Sequence, residues 1–240
     1  RVYVHESVEE KFTRMVVEKT KKLRQGSGES PDVDVGSMTA EMQIKKVESQ
    51  LKEARELGAQ ILTGGERDGL FFKPTVIKNV DRNFSVVKDE TFGPVLPIMT
   101  YRTEEEAVAF ANDSDYALNA YVWTRDISRG KKIASKIIAG TVNVNESVFS
   151  YALPQTPWGG PKESGIGRTH GALGILEMVQ VRHVHVNRMA SKANNFWWFG
   201  YSADKLQLIK ALCFVLFGRP LEKLRGLARF IRLFRKVKTL

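Results

Sequence analysis

The alternation of strand-like and helix-like patterns over residues 1–190 constrains the fold of this chain more than any other feature. Short apolar runs such as Arg1–His5 and Pro94–Tyr101 alternate with segments such as Thr39–Leu57, where apolar residues recur at helical spacing. Successive units of this kind form parallel sheets that are covered by helices on both faces. We therefore predict a doubly wound α/β fold with a largely parallel sheet, followed by a C-terminal helical tail.

Local signals predict where several of these elements begin and end. Ser7 followed by Glu10 fits a capping box, so a helix is expected from Val8 onward. Thr103 precedes three glutamates and is expected to cap the next helix, where acids suit the positive end of the helix dipole. Gly58 follows the predicted helix at Thr39–Leu57 and is expected to end it. Further expected elements are a strand at 59–63, a strand at 118–124, a helix at 127–138 and a strand at 140–145.

The charge of the chain is concentrated in its tail. The net charge is +10, yet residues 1–190 carry 26 Lys+Arg against 25 Asp+Glu, and residues 191–240 carry 11 against 2. The body of the protein therefore lacks the basic surface of a nucleic-acid-binding domain. A single cysteine, Cys213, excludes a disulfide framework and a multi-cysteine metal site, which favours a reducing, cytoplasmic location. Because Cys213 lies in an apolar run without a nearby histidine or glutamate, we expect it to be buried and structural.

Four segments carry the chemical information, and they occur in a fixed order. They are Phe72–Val76, Lys88–Val95, Ala139–Asn145 and Pro157–Arg168. In this order and spacing they resemble the aldehyde dehydrogenase superfamily, and the resemblance runs from residue 1 to about 187. It implies the family's catalytic-domain fold, the oxidation of an aldehyde to a carboxylic acid, and NAD or NADP as the cofactor.

Glu90 and Phe92 are the candidate cofactor-binding residues. A carboxylate can accept hydrogen bonds from two adjacent ribose hydroxyls, and an aromatic ring can pack against a nicotinamide. The resemblance gives these two positions the same roles. The alternative is that Glu90 is a surface acid that approaches a helix and Phe92 is a core residue.

The candidate substrate pocket consists of Asn145, Phe149, Tyr151 and Trp158. Asn145 ends a predicted strand, where the active-site side chains of parallel sheets gather. The segment Glu146–Thr156 is apolar, and it resembles the branch of the superfamily that oxidises fatty and aromatic aldehydes. In the alternative interpretation, the loop only packs against the protein.

The resemblance also implies which groups the chain lacks. The family needs a thiolate nucleophile and a general-base glutamate, and it places both before the position that matches Arg1. The chain begins directly in a strand pattern without a methionine, which indicates a truncation. We therefore expect no catalytic residue in this chain and no activity from it alone.

The remaining motifs have structural interpretations. Gly159, Gly160, Gly165 and Gly167 lack the arrangement of a dinucleotide fingerprint and are interpreted as tight-turn positions. His183 and His185 alternate along a predicted strand without a third ligand, so no metal site is expected. The resemblance implies that this strand joins the sheet of a second subunit and makes a homo-oligomer. The predicted regions are a partial catalytic domain at 1–178, an oligomerisation strand at 179–190 and a basic amphipathic tail at 191–240.

The tail begins with the aromatic cluster Phe196–Phe199 and continues as two helical patterns that Gly218-Arg219-Pro220 separates. Residues 221–240 place leucine, isoleucine and phenylalanine on one face and carry seven Lys+Arg against one Glu. We predict peripheral contact with an anionic membrane surface. The alternatives are a helix packed on the enzyme and, least favoured, nucleic-acid binding. A second function class is a non-enzymatic membrane-docking or assembly module that retains the fold.

Overall fold

The computed structural model of the protein describes residues 1–186 and 201–237. Contacts divide the chain into two compact units, Arg1–Val181 and Arg182–Leu240, and each is described by itself. The predicted aromatic cluster at 196–199, the last residues of the predicted oligomerisation strand and the end of the tail lie outside the described residues.

The first unit alternates strands and helices, as the sequence predicts. Its strands are β1 (Val2–His5), β2 (Gln60–Thr63), β3 (Arg67–Asp68), β4 (Phe71–Phe72), β5 (Thr75–Lys78), β6 (Val95–Tyr101), β7 (Asn119–Val122) and β8 (Thr141–Val144). Its α-helices are α1 (Glu9–Thr20), α2 (Glu41–Glu56), α3 (Ser85–Lys88), α4 (Glu104–Asn112), α5 (Ile127–Ala134) and α6 (Gly171–Leu176). Two 3-10 helices span Glu6–Val8 and Phe149–Ala152.

The main sheet has the strand order β1-β6-β5-β2. β6 pairs in parallel with β1 and β5, whereas β2 runs antiparallel to β5 at the edge. The connection from β2 to β5 holds the small β3–β4 hairpin and no helix, so it lacks the crossover that a parallel pair needs. β7 and β8 form a separate parallel pair. The predicted α/β class with a largely parallel sheet is confirmed.

The core lies where α2 covers the sheet. One face of α2 buries Ile44, Val47, Leu51 and Ala54 at helical spacing, and these residues cluster with the fully buried Ile77 of β5. Each fully buried aliphatic side chain stabilises the fold by roughly 1.5–3 kcal/mol relative to exposure. Packing against the sheet therefore fixes the position of α2, and the segments that contact α2 are positioned by it.

The two predicted helix caps have different outcomes. Thr103 caps α4, because its side chain accepts a hydrogen bond from the Glu106 amide at 3.2 Å. The capping box at Ser7 is wrong. The His5 ring accepts from the Ser7 amide and pairs with the Ser7 hydroxyl at 2.7 Å, so a 3-10 turn forms first and α1 starts at Glu9.

Two glycines permit a close crossing of chain segments beside β7 and β8. A Cβ atom at Gly140 would lie 1.6 Å from the Gly159 carbonyl oxygen, and one at Gly160 would lie 2.6 Å from the Ala117 carbonyl oxygen. A side chain at either position would collide with backbone, which cannot move aside cheaply. The glycine-rich segment at 157–168 therefore passes directly across the ends of this strand pair.

The described part of the second unit is a helical hairpin of α7 (Ala203–Phe217) and α8 (Pro220–Val237). The helices approach closely at Gly226, where a Cβ atom would lie 2.9 Å from Phe214 Cβ and 3.1 Å from the Ala211 carbonyl oxygen. Cys213 is exposed, so the prediction that it is buried is wrong. α7 is apolar around most of its circumference, and the face that packs on α8 leaves Cys213 outside.

Two further observations concern predicted features of the C-terminal part. The predicted strand at 179–186 has no ladder partner within residues 1–186 and 201–237. In the same described ranges, no helix combines the length and apolarity that crossing a bilayer requires.

Candidate functional site

The loop after α3 presents the two predicted cofactor-binding side chains. Glu90 is exposed, and Phe92 is 74% exposed with a left-handed backbone φ of 47°. A left-handed phenylalanine with an exposed ring is unfavourable on both counts and is held only when surrounding contacts determine it. The interpretation of Phe92 as a core residue is therefore wrong. Exposure leaves the ring free to pack against a ligand.

Helix α2 supplies the contacts that hold this loop. The Lys46 ammonium group donates to the Glu90 carbonyl oxygen, and the Gln43 side-chain amide donates to the Thr91 carbonyl oxygen. The next turn of the same helix face is in contact with Gly93, where a Cβ atom would lie 2.5 Å from Val47 Cγ2. Gln43, Lys46 and Val47 lie at positions i, i+3 and i+4 of α2, so one face of the helix contacts the loop at residues 90, 91 and 93.

Sequence reasoning missed Gln43 and Lys46. They precede their partners by 48 and 44 residues, and they donate to main-chain oxygens, which carry no signal in the sequence. The one available signal was their position beside the buried stripe of α2, which predicts that they border the core.

A groove of about 410 Å³ lies beside Glu90. It is lined by residues 86–91 from α3 and its loop, by residues from 114–118 before β7, and by Glu163 and Ser164. The Ser164 hydroxyl accepts from the Ala117 amide at 2.7 Å, and the Glu163 amide donates to the Asp115 carbonyl oxygen at 2.9 Å. The glycine-rich segment therefore forms one wall of the groove, opposite the loop that carries Glu90.

Asn145 follows β8, as predicted, and adopts a left-handed backbone with φ of 58°. Its side-chain oxygen accepts from the Thr124 amide at 2.8 Å, and its side-chain nitrogen donates to the Thr124 carbonyl oxygen at 2.7 Å. This pair of hydrogen bonds ties the carboxyl end of β8 to the turn that follows β7. Both polar atoms of the Asn145 amide are thus engaged in a structural clamp.

Two of the remaining predicted pocket residues, Tyr151 and Trp158, meet in one aromatic cluster. The rings of Tyr151 and Trp158 meet edge to face with centroids 5.0 Å apart, and Tyr151 also contacts the His170 ring at 5.5 Å. Trp158 is fixed by two backbone hydrogen bonds with Thr169, both 2.8 Å long. Phe149 lies in the same 3-10 helix as Tyr151 and remains 59% exposed. The His170 ring completes the cluster.

Glu104 and Asp34, two titratable groups with shifted pKa values, lie away from these clusters. Hydrogen bonds from Arg129 and Lys136 lower the pKa of Glu104, and a hydrogen bond from Arg24 lowers the pKa of Asp34. Both are surface ion pairs with structural roles. Within residues 1–186 and 201–237, no group of three His, Cys, Asp or Glu side chains is arranged to hold a metal ion.

The fold is an α/β domain with a mostly parallel sheet. The exposed Glu90 carboxylate and Phe92 ring lie near a groove, an arrangement typical of ligand-binding domains of this class. Comparison with known proteins identifies the family. The profile of the aldehyde dehydrogenase family matches residues 1–184, and the chain belongs to that family. The recognition made from the four sequence segments is confirmed.

Several relatives and solved structures define the similarity. The betaine aldehyde dehydrogenase of Bacillus subtilis is 34% identical over 206 residues, covering 83% of this chain and 41% of the relative. The 4,4'-diapolycopene aldehyde oxidase of a Methylomonas species is 34% identical and covers 94% of this chain and 42% of the relative. A Mycobacterium tuberculosis aldehyde dehydrogenase complexed with NAD+ is 37% identical with a TM-score of 0.71, covering 75% of this chain and 38% of that one. The chain thus spans about two fifths of the length of the curated relatives it matches.

Proposed function

We propose that this chain is part of an enzyme that oxidises an aldehyde to a carboxylic acid with NAD or NADP. The observation that carries the proposal is the loop at 89–93, which α2 holds beside the groove in a chain of the aldehyde dehydrogenase family. Relatives are named for betaine aldehyde, succinate semialdehyde and diapolycopene aldehyde, and solved structures of similar proteins contain NAD+.

The residues of the loop fit a nicotinamide nucleotide. The exposed Glu90 carboxylate offers two acceptor oxygens to a pair of ribose hydroxyls, and the exposed Phe92 ring offers a face to a flat heterocycle. The nucleotide, when bound, supplies the hydride acceptor. Glu90 and Phe92 would orient the nucleotide. A reacting group that is already held in place loses less entropy on reaching the transition state.

The aromatic cluster supports an apolar or aromatic aldehyde as the substrate. Phe149, Tyr151 and Trp158 give the loop after β8 an apolar wall, and ring edges suit flat or extended hydrocarbon groups. Asn145 shapes the approach to this wall through its clamp on Thr124. The nucleophile and the general base are proposed to come from sequence outside these 240 residues, since Cys213 lies on the hairpin far along the chain from the motifs.

The test uses the polypeptide encoded by the complete natural reading frame, assayed for NADH and NADPH formation with short, long-chain and aromatic aldehydes. Glu90→Gln is expected to lower turnover by roughly one to two decades, since a charge-assisted contact contributes about 1.5–3 kcal/mol. Asp89→Asn is the matched control, because it neutralises the neighbouring exposed acid. No turnover with any aldehyde would refute the proposal, and equal effects of the two variants would make Glu90 structural.

The segment 179–190 is proposed to pair with a second copy of the chain. Val179, Val181, Val184 and Val186 are at least 52% exposed, and an apolar segment that pairs with no strand among residues 1–186 and 201–237 is a candidate for strand addition. The proposed location of such an oligomer is the cytoplasm. A concentration-dependent dimer that is lost on Val181→Lys, but retained on Ser147→Lys, would support this assembly.

A peripheral contact with anionic membrane is proposed for residues 221–240, and α8 is the observation that favours it. Leu224 is 67% exposed and Ile231 is 47% exposed on one face of a helix rich in arginine. Basic residues near an anionic surface contribute about 1 kcal/mol each, and exposed leucines gain by entering the acyl boundary. Co-sedimentation with vesicles, with and without anionic lipid, tests this contact on the whole chain and on a chain that ends at residue 190.

A further inference from the structure

α8 carries its apolar and basic side chains on two opposite sides. The side on which Arg229 lies is fixed by a hydrogen bond from its guanidinium group to the Gln207 side-chain oxygen at 2.7 Å. A helix turns about 100° per residue, so Arg225 shares this side with Arg229. The same period places Leu224, Leu227 and Ile231 on the other side of α8.

α7 has an apolar stripe on the same side as the leucine face of α8. α7 meets α8 through Ala211 and Val215, which lie against Gly226. Measured from this contact, the helical period turns Gln207 and Phe214 toward the basic side. It turns Ile209, Leu212 and Leu216 toward the opposite side, and Leu216 is 56% exposed.

Gly226 brings the two apolar stripes next to each other. A Cβ atom at this position would lie 2.9 Å from Phe214 Cβ and 3.2 Å from the Val215 amide nitrogen, so any other residue would push the helices apart. The absence of a side chain therefore makes the stripes of α7 and α8 adjacent. The turn between the helices adds Phe217 at 84% exposure and Leu221 at 59% exposure.

We infer that the lipid-contacting surface is a two-helix apolar face made by α7 and α8 together, with the turn at 217–221 at its end. This inference rests on the proposed membrane contact and extends it from one helix to the whole hairpin. We define the hairpin face as Ile209, Leu212, Leu216, Leu224, Leu227 and Ile231. An anionic lipid surface is the occupant that fits both the apolar hairpin face and the net positive charge of the hairpin.

Charge decides between a lipid surface and a second copy of the hairpin. Residues 202–237 carry nine Lys+Arg against two Asp+Glu. Two hairpins therefore carry the same net positive charge and repel each other at long range, even though packing their hairpin faces together would leave the arginine sides on the outside. An anionic lipid surface attracts the same charges while the apolar side chains leave water.

The experiment measures partition of the full 240-residue chain onto vesicles of phosphatidylcholine alone and of phosphatidylcholine mixed with phosphatidylserine. Leu216→Gln on α7 is expected to weaken binding roughly fivefold, close to the effect of Leu224→Gln on α8, because each removes a half-exposed leucine from the face. Phe214→Gln is the matched control on the basic side of α7 and is expected to change binding less than twofold. Circular dichroism of each variant checks that the hairpin remains helical.

The outcomes separate this inference from the membrane proposal beneath it. If Leu224→Gln and Arg225→Glu weaken binding but Leu216→Gln behaves like Phe214→Gln, the two-helix face is wrong and contact through α8 alone stands. If the chain binds neither vesicle, the membrane contact itself is wrong. If Leu216→Gln instead dissociates a dimer seen by sedimentation in the absence of lipid, the occupant is a second copy and the inference is overturned.

Discussion

Residues 1–181 and the hairpin at 203–237 differ in how completely they bury their apolar side chains. The first region encloses Ile44, Val47 and Ile77 completely between α2 and the sheet. The hairpin fully buries Leu208 and Ala211 where its helices meet, while Phe217 and Leu224 stay largely exposed. A two-helix hairpin has one contact surface per helix, so it cannot enclose a helix that is apolar on several sides.

The difference in burial indicates how far each region is stabilised by its own core. The first region has a buried core that accounts for its stability. The hairpin exposes apolar area well beyond single scattered residues, which is characteristic of an interaction surface. The family profile matches residues 1–184, whereas the hairpin lies beyond the matched range.

The largest expected effect is a complete absence of turnover. The 240-residue chain alone is expected to form no NADH from any aldehyde, because the nucleophile and the general base are proposed to lie outside these 240 residues. The measurement is absorbance of NADH with purified chain and a panel of aldehydes. Activity that disappears on Cys213→Ser would place the chemistry in the hairpin and would break the comparison.

The next largest effect concerns a matched pair of isoleucines. Ile77→Ala removes a fully buried side chain and is expected to cost about 2–5 kcal/mol of unfolding free energy. Ile231→Ala, at a position 47% exposed, is expected to cost less than about 1 kcal/mol. Urea unfolding followed by circular dichroism and tryptophan fluorescence measures both. Equal costs would mean that Ile231 is buried in solution.

Helix caps are expected to contribute equally in the two regions. Thr103 caps α4 by accepting from the Glu106 amide, and Ser202 caps α7 by accepting from the Lys205 amide, both at 3.2 Å. Either residue changed to alanine is expected to cost about 1 kcal/mol, since a cap is a local interaction that does not depend on burial. Thermal unfolding of the two variants provides the test. A much larger cost at Ser202 would show that the hairpin depends on this cap.

The smallest expected effect is a pH dependence from Glu104. Arg129 and Lys136 hold its pKa below the ordinary value of 4.5, so the carboxylate stabilises the fold at neutral pH. That contribution is lost as the pH falls below about 4.5 and through the lowered pKa. The melting temperature of Glu104→Gln is therefore expected to lie slightly below that of the parent at pH 7 and to approach it in acid. Glu105→Gln, on the same helix, leaves the contacts of Glu104 with Arg129 and Lys136 in place and is the control, with an expected change in melting temperature at pH 7 smaller than that of Glu104→Gln.

Local signals predicted much of the first region, and long-range contacts account for most of the errors. Thr103 was predicted correctly because a cap needs only its own helix. Ser7 failed because the His5 ring, two residues earlier, took the hydrogen bond that the capping box needs. The antiparallel direction of β2 depends on the length of its connection to β5, which the strand pattern by itself does not show.

The sequence motifs predicted the candidate site residues, but they did not predict the α2 residues that hold the loop at 89–93. Glu90 was found through a local motif, and Tyr151 and Trp158 through the motif-bounded loop. Lys46 was invisible because its partner is a main-chain oxygen 44 residues away. In the tail, the period of α8 predicted an apolar face, but Gly226 decides which side meets α7, and one glycine carries no such signal in a helix pattern.

The grip of α2 on the loop at 89–93 also bears on how this surface can diversify. Gln43 and Lys46 hold carbonyl oxygens, which every amino acid provides. The side chains at 90 and 92 can therefore be exchanged while the anchoring bonds persist. Gly93 is the exception, because Val47 leaves no room for a Cβ atom there. Mutation can thus change two side chains of a loop whose placement depends on contacts with α2.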